Sequence, residues 1–419
     1  MSTGIRLRLS VMMFLEFFVW GAWFVTMGSY LTGSLGFSGA DSALAYSTQS
    51  WGAIIAPFII GLIADKYVNA ERLLGVIHLI GAALMYMLAS ATEFDAFYPY
   101  LLLYMILYMP TLALVNAISF RQMDDPARYF GGIRVWGTVG WIVAGLTISY
   151  VFAWDSQAGL AAGLLRNTFT MAAVASLALG IFSFTLPSTP PQKAGANGGL
   201  REALGLDALA LLRDRNFLIF FAASVLICIP LAFYYQHANQ FLTEIEVANA
   251  AGIQTLGQVS EVAFMLLVPF FLKRFGMKLT LLIGMLAWGA RYVLFAYGNA
   301  GELLFLLILG IALHGVCYDF FFVSGQVFTD SKAGPRYKSA AQGLITLATY
   351  GVGMLIGFWV AGQLTDAFAV GDGAHDWRSI WLYPAAFAGL VAVLFALLFR
   401  NEVVAYQAAP SGTPARDHG

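Results

Sequence analysis

Residues 257–269 read GQVSEVAFMLLVP. The stretch is apolar enough to lie in a bilayer, yet it holds Gln258 and Glu261. On a helix turning by about 100° per residue, positions three apart share a face, so the amide and the carboxylate point the same way. A carboxylate at that depth costs roughly 2.5 kcal/mol or more. Such a group faces a bundle interior or an aqueous cavity, and by default it marks a functional site. A spanning helix with one polar stripe is therefore the unit from which the rest of the chain is read.

The composition agrees with that unit. Of 419 residues, 60% are hydrophobic and 11% charged, where soluble domains carry about 25% charged residues. The expected class is an all-α membrane protein that crosses the bilayer many times. Arg6 and Arg8 precede an apolar stretch that runs to about Leu31, too long for a signal-peptide core and of spanning length. Cys228 and Cys317 both fall in apolar segments, which supports neither a disulfide framework nor a cysteine metal site. The net charge of −1 points to no class of partner.

Apolar segments of spanning length lie near 8–31, 44–64, 73–91, 99–120, 131–153, 167–187, 216–242, 254–272, 279–297, 302–328, 341–368 and 377–399. That predicts twelve transmembrane helices. With both termini in the cytoplasm, eighteen Lys and Arg residues fall in inner loops and tails. Only Arg166 and Arg378 fall outside, and Arg134 and Arg291 lie within spans. The longest inner connection opens with PSTPPQKAGANGG at 187–199, a linker composition. It continues as REALGLDALALLRDR at 201–215, an amphipathic segment suited to the membrane interface. The expected organisation is a six-helix bundle over 1–187, a linker over 188–215, a second six-helix bundle over 216–400 and a disordered cytoplasmic tail over 401–419.

The two halves read as repeats. QSWGAIIAP at 49–57 aligns with EVAFMLLVP at 261–269, which sets Gln49 over Glu261, and each then runs into a basic turn. GLIADKYVNAER, with Gly61, Asp65, Lys66 and Arg72, resembles a degraded form of the loop motif between helices two and three of the major facilitator superfamily. That resemblance implies a major facilitator fold of two six-helix halves, with a site between them near the midplane.

Three acids lie at membrane depth, Glu16, Glu261 and Asp319, and two bases, Arg134 and Arg291. Glu261 and Asp319 are the leading proton carriers, because a carboxylate in low dielectric changes its charge readily as its neighbours move. Glu16 reads either as a third titrating group or as a structural acid. Arg134, Thr138 and Trp141 share one helical stripe that suits a polar ligand with a flat ring; the competing reading has Arg134 snorkelling to the inner interface. Gly137, Gly140, Ala144 and Gly145 read as helix-packing residues. Arg291 reads as a structural ion-pair partner. His314 and Tyr318, one turn apart, precede Asp319, and Phe322 lies one turn beyond Tyr318, with the histidine read mainly as a packing residue. FYYQHANQF at 233–241 supplies phenols and amides for a vestibule.

FLEFFVWGAWFVTMGSYL (14–31), YMPTLALVNAISF (108–120), IRVWGTVGW (133–141), QVSE (258–261), RYVLFAYG (291–298) and YDFFFVSGQVF (318–328) together resemble the bacterial nucleoside:proton symporter family. The resemblance runs from about Phe14 to Arg400. It implies proton-driven import of nucleosides across the bacterial inner membrane by alternating access. It further implies a binding site using Arg134, Thr138, Gln258, Glu261, Tyr318, Asp319 and Phe322, with Tyr235 facing it from helix seven. Similar proteins place amides where this chain has Ala232 and Tyr235, and glutamine where it has Glu16. The implied partners are a nucleoside, a proton and membrane lipid. No nucleic acid polymer, metal or other cofactor is expected, and the expected unit is a monomer.

Three rivals remain on the sequence. A symporter of sugars or another small polar metabolite shares the fold. A membrane enzyme would need an acidic metal–phosphate site, for which Asp124–Asp125 is the nearest candidate and reads more simply as a turn. A transporter-like sensor would need a large added domain. GxxxxGK[ST] and GxSxG are absent and the five histidines form no ligand cluster, which argues against an ATP-driven pump and against an enzyme.

Overall fold

The computed structural model describes residues 1–59, 67–191, 206–371 and 373–402. Gly61, Asp65 and Lys66 of the loop motif, linker residues 192–205 and tail residues 403–419 lie outside the described residues. The chain is helical almost throughout, as the need to satisfy every backbone polar group inside a bilayer requires. Before the linker run α1 (Thr3–Gly21), α2 (Gly39–Ile59), α3 (Ala70–Ser90), α4 (Phe94–Arg121), α5 (Pro126–Leu146) and α6 (Arg166–Ser183). After it run α7 (Arg215–Glu244), α8 (Ala250–Tyr297), α9 (Leu304–Ala312), α10 (His314–Tyr318), α11 (Ser324–Thr346), α12 (Met354–Ala367) and α13 (Trp377–Leu398). Two short antiparallel strands, Ala369–Gly371 and Ala374–His375, form a hairpin that sets Ala369 opposite His375.

Among the described residues, eight helical stretches are long and apolar enough to cross a membrane. One of them, α8, has 48 residues. At about 1.5 Å per residue it would reach about 72 Å, more than twice the ~30 Å hydrocarbon thickness. It does not run straight: Gly276, at φ 75 and ψ 176, breaks it into two limbs where two separate helices were expected. Gly334 (φ 61, ψ −178) breaks α11 in the same way. Only glycine takes such a backbone without strain. The expected first segment, 8–31, is also interrupted: α1 ends at Gly21, and the helix resumes at Met27–Ser29 and a wide turn at Tyr30–Ser34.

The amphipathic linker segment is described from Leu206 onward. Leu206–Arg213 is a 3-10 helix, and Ala208 is buried against Ala333, Ala341 and Leu344. Asp214 then caps α7 by accepting from the Phe217 N–H at 2.8 Å. Partial burial works against its charge, but this bond and Lys332 at 3.1 Å hold the carboxyl below its usual range.

Helices on the same side of the linker pack together: α1 on α5, α2 on α4, α3 on α6, α7 on α12, and α8 on α13. Contacts also cross the linker, with α2 on α12 and α5 on α8. Small residues permit the close approaches. A Cβ on Gly140 would overlap the Phe14 carbonyl of α1, and one on Gly362 would sit 2.5 Å from the Gly39 carbonyl.

At the end of the molecule away from the termini, two carboxylates cap helices across the linker. Asp366, on α12, accepts from the Gly39 N–H at 2.6 Å and the Ala40 N–H at 2.9 Å, at the start of α2. Asp155, in the loop after α5, accepts from the Ala251 N–H at 3.0 Å, at the start of α8, and from the Ser149 hydroxyl at 2.6 Å. Ser149 in turn accepts from the Gly252 N–H at 2.7 Å. Each carboxylate meets the positive end of a helix dipole and satisfies otherwise orphaned donors.

Candidate functional site

The polar stripe on α8 opens into a cavity between the helices that precede the linker and those that follow it. Phe17 and Trp20 line it from α1, Gln49 from α2, and Arg134, Thr138 and Trp141 from α5. Across from them stand Tyr235 of α7, Gln258 and Glu261 of α8, His314 and Tyr318 of α10, and Tyr350 in the turn before α12. A narrower space extends from it toward the capped end, lined by Val25, Tyr234, Gln254 and Thr255 and sharing Trp141, Tyr235 and Gln258.

The helical spacings explain the placement. Gln258 and Glu261 are three apart, and Arg134, Thr138 and Trp141 fall at intervals of four and three, so each set shares a face. Arg134 does not snorkel outward: its guanidinium lies 4.2 Å from the Phe17 ring centroid and lines the cavity. Glu261 keeps 21% of its side chain exposed into this space and stands 3.8 Å from His314 Nε2. Tyr318 and Tyr350 share a hydroxyl hydrogen bond of 2.6 Å. The cavity thus offers a fixed cation, a carboxylate, two amides and three phenols around flat aromatic walls. That set matches an uncharged ligand with several hydroxyls and a flat heterocycle.

Of the residues singled out from sequence, Arg134, Thr138, Gln258, Glu261, Tyr235 and Tyr318 come together on this cavity. Asp319 and Phe322 do not line it. Asp319 begins a wide helical turn, Asp319–Val323, in which the extra residue swings the side chain off the α10 face. It is fully buried, neither carboxylate oxygen has a hydrogen-bond partner among the described residues, and it is close enough to Glu261 to feel its charge. Phe322 packs on Tyr318, ring centroids 5.0 Å apart, and on Trp288 at 5.7 Å.

Glu16 is separate from the cavity. Its carboxylate takes the Thr111 hydroxyl at 2.5 Å and His78 Nε2 at 2.9 Å, and its backbone carbonyl accepts from Tyr108 at 2.8 Å. Ser176 donates its hydroxyl to the His78 carbonyl at 2.9 Å, so it must accept from His78 Nδ1–H at 3.0 Å. This closed network ties α1, α3, α4 and α6 together. The expected ion pair for Arg291 is absent among the described residues: Arg291 is fully buried, lies 3.5 Å over the Tyr234 ring and reaches His314 Nδ1 at 3.3 Å.

Sequence reasoning did not assign Phe17, Trp20, Gln49, His314 or Tyr350 to the cavity. Gln49 carried a signal, as the repeat counterpart of Glu261. Tyr350 carried none, because its partner Tyr318 is 32 residues away.

The characteristic sequence pattern of the nucleoside H+ symporters matches residues 1–403. YegT of Escherichia coli (strain K12) is 44% identical over 408 residues, covering 95% of each chain. The xanthosine permease of the same organism is 37% identical over 412 residues, covering 95% of this chain and 96% of its own. The crystal structure of the nucleoside transporter NupG superposes with a TM-score of 0.86 at 33% identity, over 96% of this chain and all of that one. With its helices arranged as in that transporter and its sequence matched almost end to end, this multi-pass membrane chain belongs to the nucleoside H+ symporter family.

Proposed function

We propose that this chain imports nucleosides together with protons across the bacterial inner membrane by alternating access. The observation that carries the reading is the cavity itself, where a cation, a carboxylate, amides and aromatic faces converge from both sides of the linker. Glu261, Gln258 and Thr138 hold ribose hydroxyls, Arg134 anchors a further oxygen, and Tyr235 and Tyr318 with the tryptophans hold the base. Glu261 and Asp319 carry the proton or the substrate load; Glu16, closed within its own network, serves the packing of the first bundle. Phe322 acts behind Tyr318.

The architecture that goes with this function has twelve spans in two six-helix halves, over 1–187 and 216–400. The count is supported by the spanning lengths of α1, α2 and α6 beside the eight more apolar stretches, and by the break at Gly276, which divides α8 into two spans. Both termini face the cytoplasm, on the loop charge asymmetry, and the protein works as a monomer without enzymatic chemistry. The capped end, with Asp155 and Asp366, is then the closed outer gate.

The test is uptake of labelled uridine and adenosine into proteoliposomes with an imposed inward proton gradient. Glu261→Gln and Asp319→Asn are expected to abolish gradient-driven accumulation. Unchanged accumulation in both variants would remove the site.

A further inference from the structure

Arg291 is the fully buried cation that the proposed mechanism does not use. Among the described residues no carboxylate lies within ion-pair distance of it, and its Nε and Nη2 donors lack hydrogen-bond partners. A buried charge with so little compensation calls for a reason. Among the described residues, its one polar contact is with a histidine that borders the cavity.

We infer that Arg291 and His314 form a positioning pair for Glu261, in which Arg291 fixes the single ring proton of His314 on Nε2, the nitrogen that faces the Glu261 carboxylate. This rests on the reading of Glu261 as a working group of the transport site. Arginine is a donor only and stays charged, so His314 Nδ1, 3.3 Å from Arg291 Nη1, can meet it only with its lone pair. A neutral imidazole with an accepting Nδ1 carries its hydrogen on Nε2. Nε2 stands 3.8 Å from Glu261 Oε2, one small side-chain adjustment from a hydrogen bond.

The ring is held for this task. The face of Tyr234, on α7, stacks on it at 5.4 Å, and Tyr318, on its own helix, at 5.8 Å. Gly257 of α8 lets the histidine approach, since a Cβ there would sit 3.2 Å from His314 Cβ. The Ser260 hydroxyl accepts from the Gly315 N–H at 2.9 Å, which ties α10 to the Glu261 stretch. The titratable and charged groups that face the ring are therefore Arg291, Glu261, Tyr234 and Tyr318; around Glu261 itself stand Arg134 across the cavity, Asp319 behind it, and Tyr235 and Tyr350 on the cavity wall.

The pair gives Glu261 two settings. Ionised, the carboxylate draws on the His314 Nε2–H and, through the ring, on the Arg291 charge. Protonated, it releases that hold and turns to the cavity. His314 cannot take the proton in its place while Arg291 occupies Nδ1, so the proton stays on the carboxylate. Arg291 and His314 set where Glu261 points and when it is charged, without carrying the proton themselves.

The direct test is the nitrogen spectrum of ring-labelled histidine in the full-length protein, with the His314 signals assigned by their loss in His314→Gln. The expected pattern is Nε2 protonated and Nδ1 bare across the pH range of transport. An imidazolium or an Nδ1–H ring would overturn the proposal. In proteoliposomes, His314→Leu and Arg291→Gln should each move the pH profile of uptake and lower the maximal rate about tenfold or more, with a smaller change in KM. His314→Gln, which keeps a donor and an acceptor, should restore most of the rate and the original profile. If His314→Leu and His314→Gln behave alike, or the profile does not move, the pair is only packing. Because Glu261→Gln is expected to lose net accumulation, the pH profile of nucleoside exchange with no gradient imposed, measured in Glu261→Gln and in both pair variants, separates the failures. A profile that moves in Glu261→Gln but not in the other two overturns the pair alone. A profile that does not move even in Glu261→Gln overturns the reading on which it rests.

Discussion

Neutralising Asp155 and Asp366 together should unlatch the end of the molecule that they close. Asp366 receives two backbone N–H groups of α2, one on each oxygen, at 2.6 and 2.9 Å. Asp155 receives the Ala251 N–H of α8 and the Ser149 hydroxyl on one oxygen. Hydrogen bonds to a charged acceptor contribute about 1.5–3 kcal/mol, and a helix N-terminus adds about 0.3–1 kcal/mol that overlaps with this. Asparagine keeps one acceptor oxygen but turns an NH2 group toward the other donor, so Asp366→Asn loses one bond outright. Taking about 1.5 kcal/mol at Asp366 and about 0.5 kcal/mol at Asp155, where asparagine keeps the one accepting oxygen, and adding them because the two sites share no partner, gives about 2 kcal/mol for the double variant. That is about a 30-fold shift toward the state with this end open, at 1.4 kcal/mol per tenfold. The assay is labelling by a membrane-impermeant maleimide of a cysteine placed at Val25, which lines the space between the cavity and the capped end. The background replaces Cys228 and Cys317, both buried here, with alanine. The double variant should label tens of times faster from the capped side than its parent, Asp366→Asn about tenfold faster and Asp155→Asn about twofold. A labelling rate that does not change, in protein present at normal levels, would refute the latch.

The Glu16 network makes a second, sharper comparison. Glu16→Gln should fold with near-native thermal stability in detergent, because its amide can donate to His78 Nε2 while its oxygen accepts from Thr111. Glu16→Leu leaves His78 Nε2 buried and unmet, at about 1–3 kcal/mol for the unsatisfied group, while the Thr111 hydroxyl keeps the Tyr108 carbonyl, and should melt clearly lower. Equal melting of the two would contradict the hydrogen bonding described. Gly140→Ala forces a methyl into the Phe14 carbonyl and should lower the yield of folded protein far more than Gly131→Ala, where nothing lies within 4 Å. Tyr318→Phe and Tyr350→Phe each break the shared hydroxyl pair and should weaken nucleoside binding measured by calorimetry. The double variant should cost less than the sum of the singles, since the bond is common to both.

How far the sequence could be read follows from the range of the forces involved. Apolar runs set the spans because each helix satisfies its own backbone within the bilayer, a local property. The stripes at 258 and 261, and at 134, 138 and 141, were legible for the same reason: a fixed turn angle places them on one face whatever lies opposite. What lies opposite was not legible. The His78 partner of Glu16, 62 residues away, and the His314 partner of Arg291, 23 residues away, depend on how helices pack. Asp319 shows a different limit. Its spacing from Tyr318 and Phe322 assumed a regular helix, and a wide turn at Asp319–Val323 moved it off the cavity wall. The surface on which Ala208 packs, formed by Ala333, Ala341 and Leu344, was likewise not legible, because it lies far along the chain.

The most direct measurement is accumulation of labelled uridine in proteoliposomes holding the purified protein, with the internal and external pH set independently. The expected result is uptake above the external concentration when protons run inward, collapse to equilibration on adding a protonophore, and displacement by unlabelled adenosine but not by maltose or sucrose. Accumulation that survives the protonophore, or displacement by the sugars and not by nucleosides, would contradict proton-coupled nucleoside import through the cavity around Glu261.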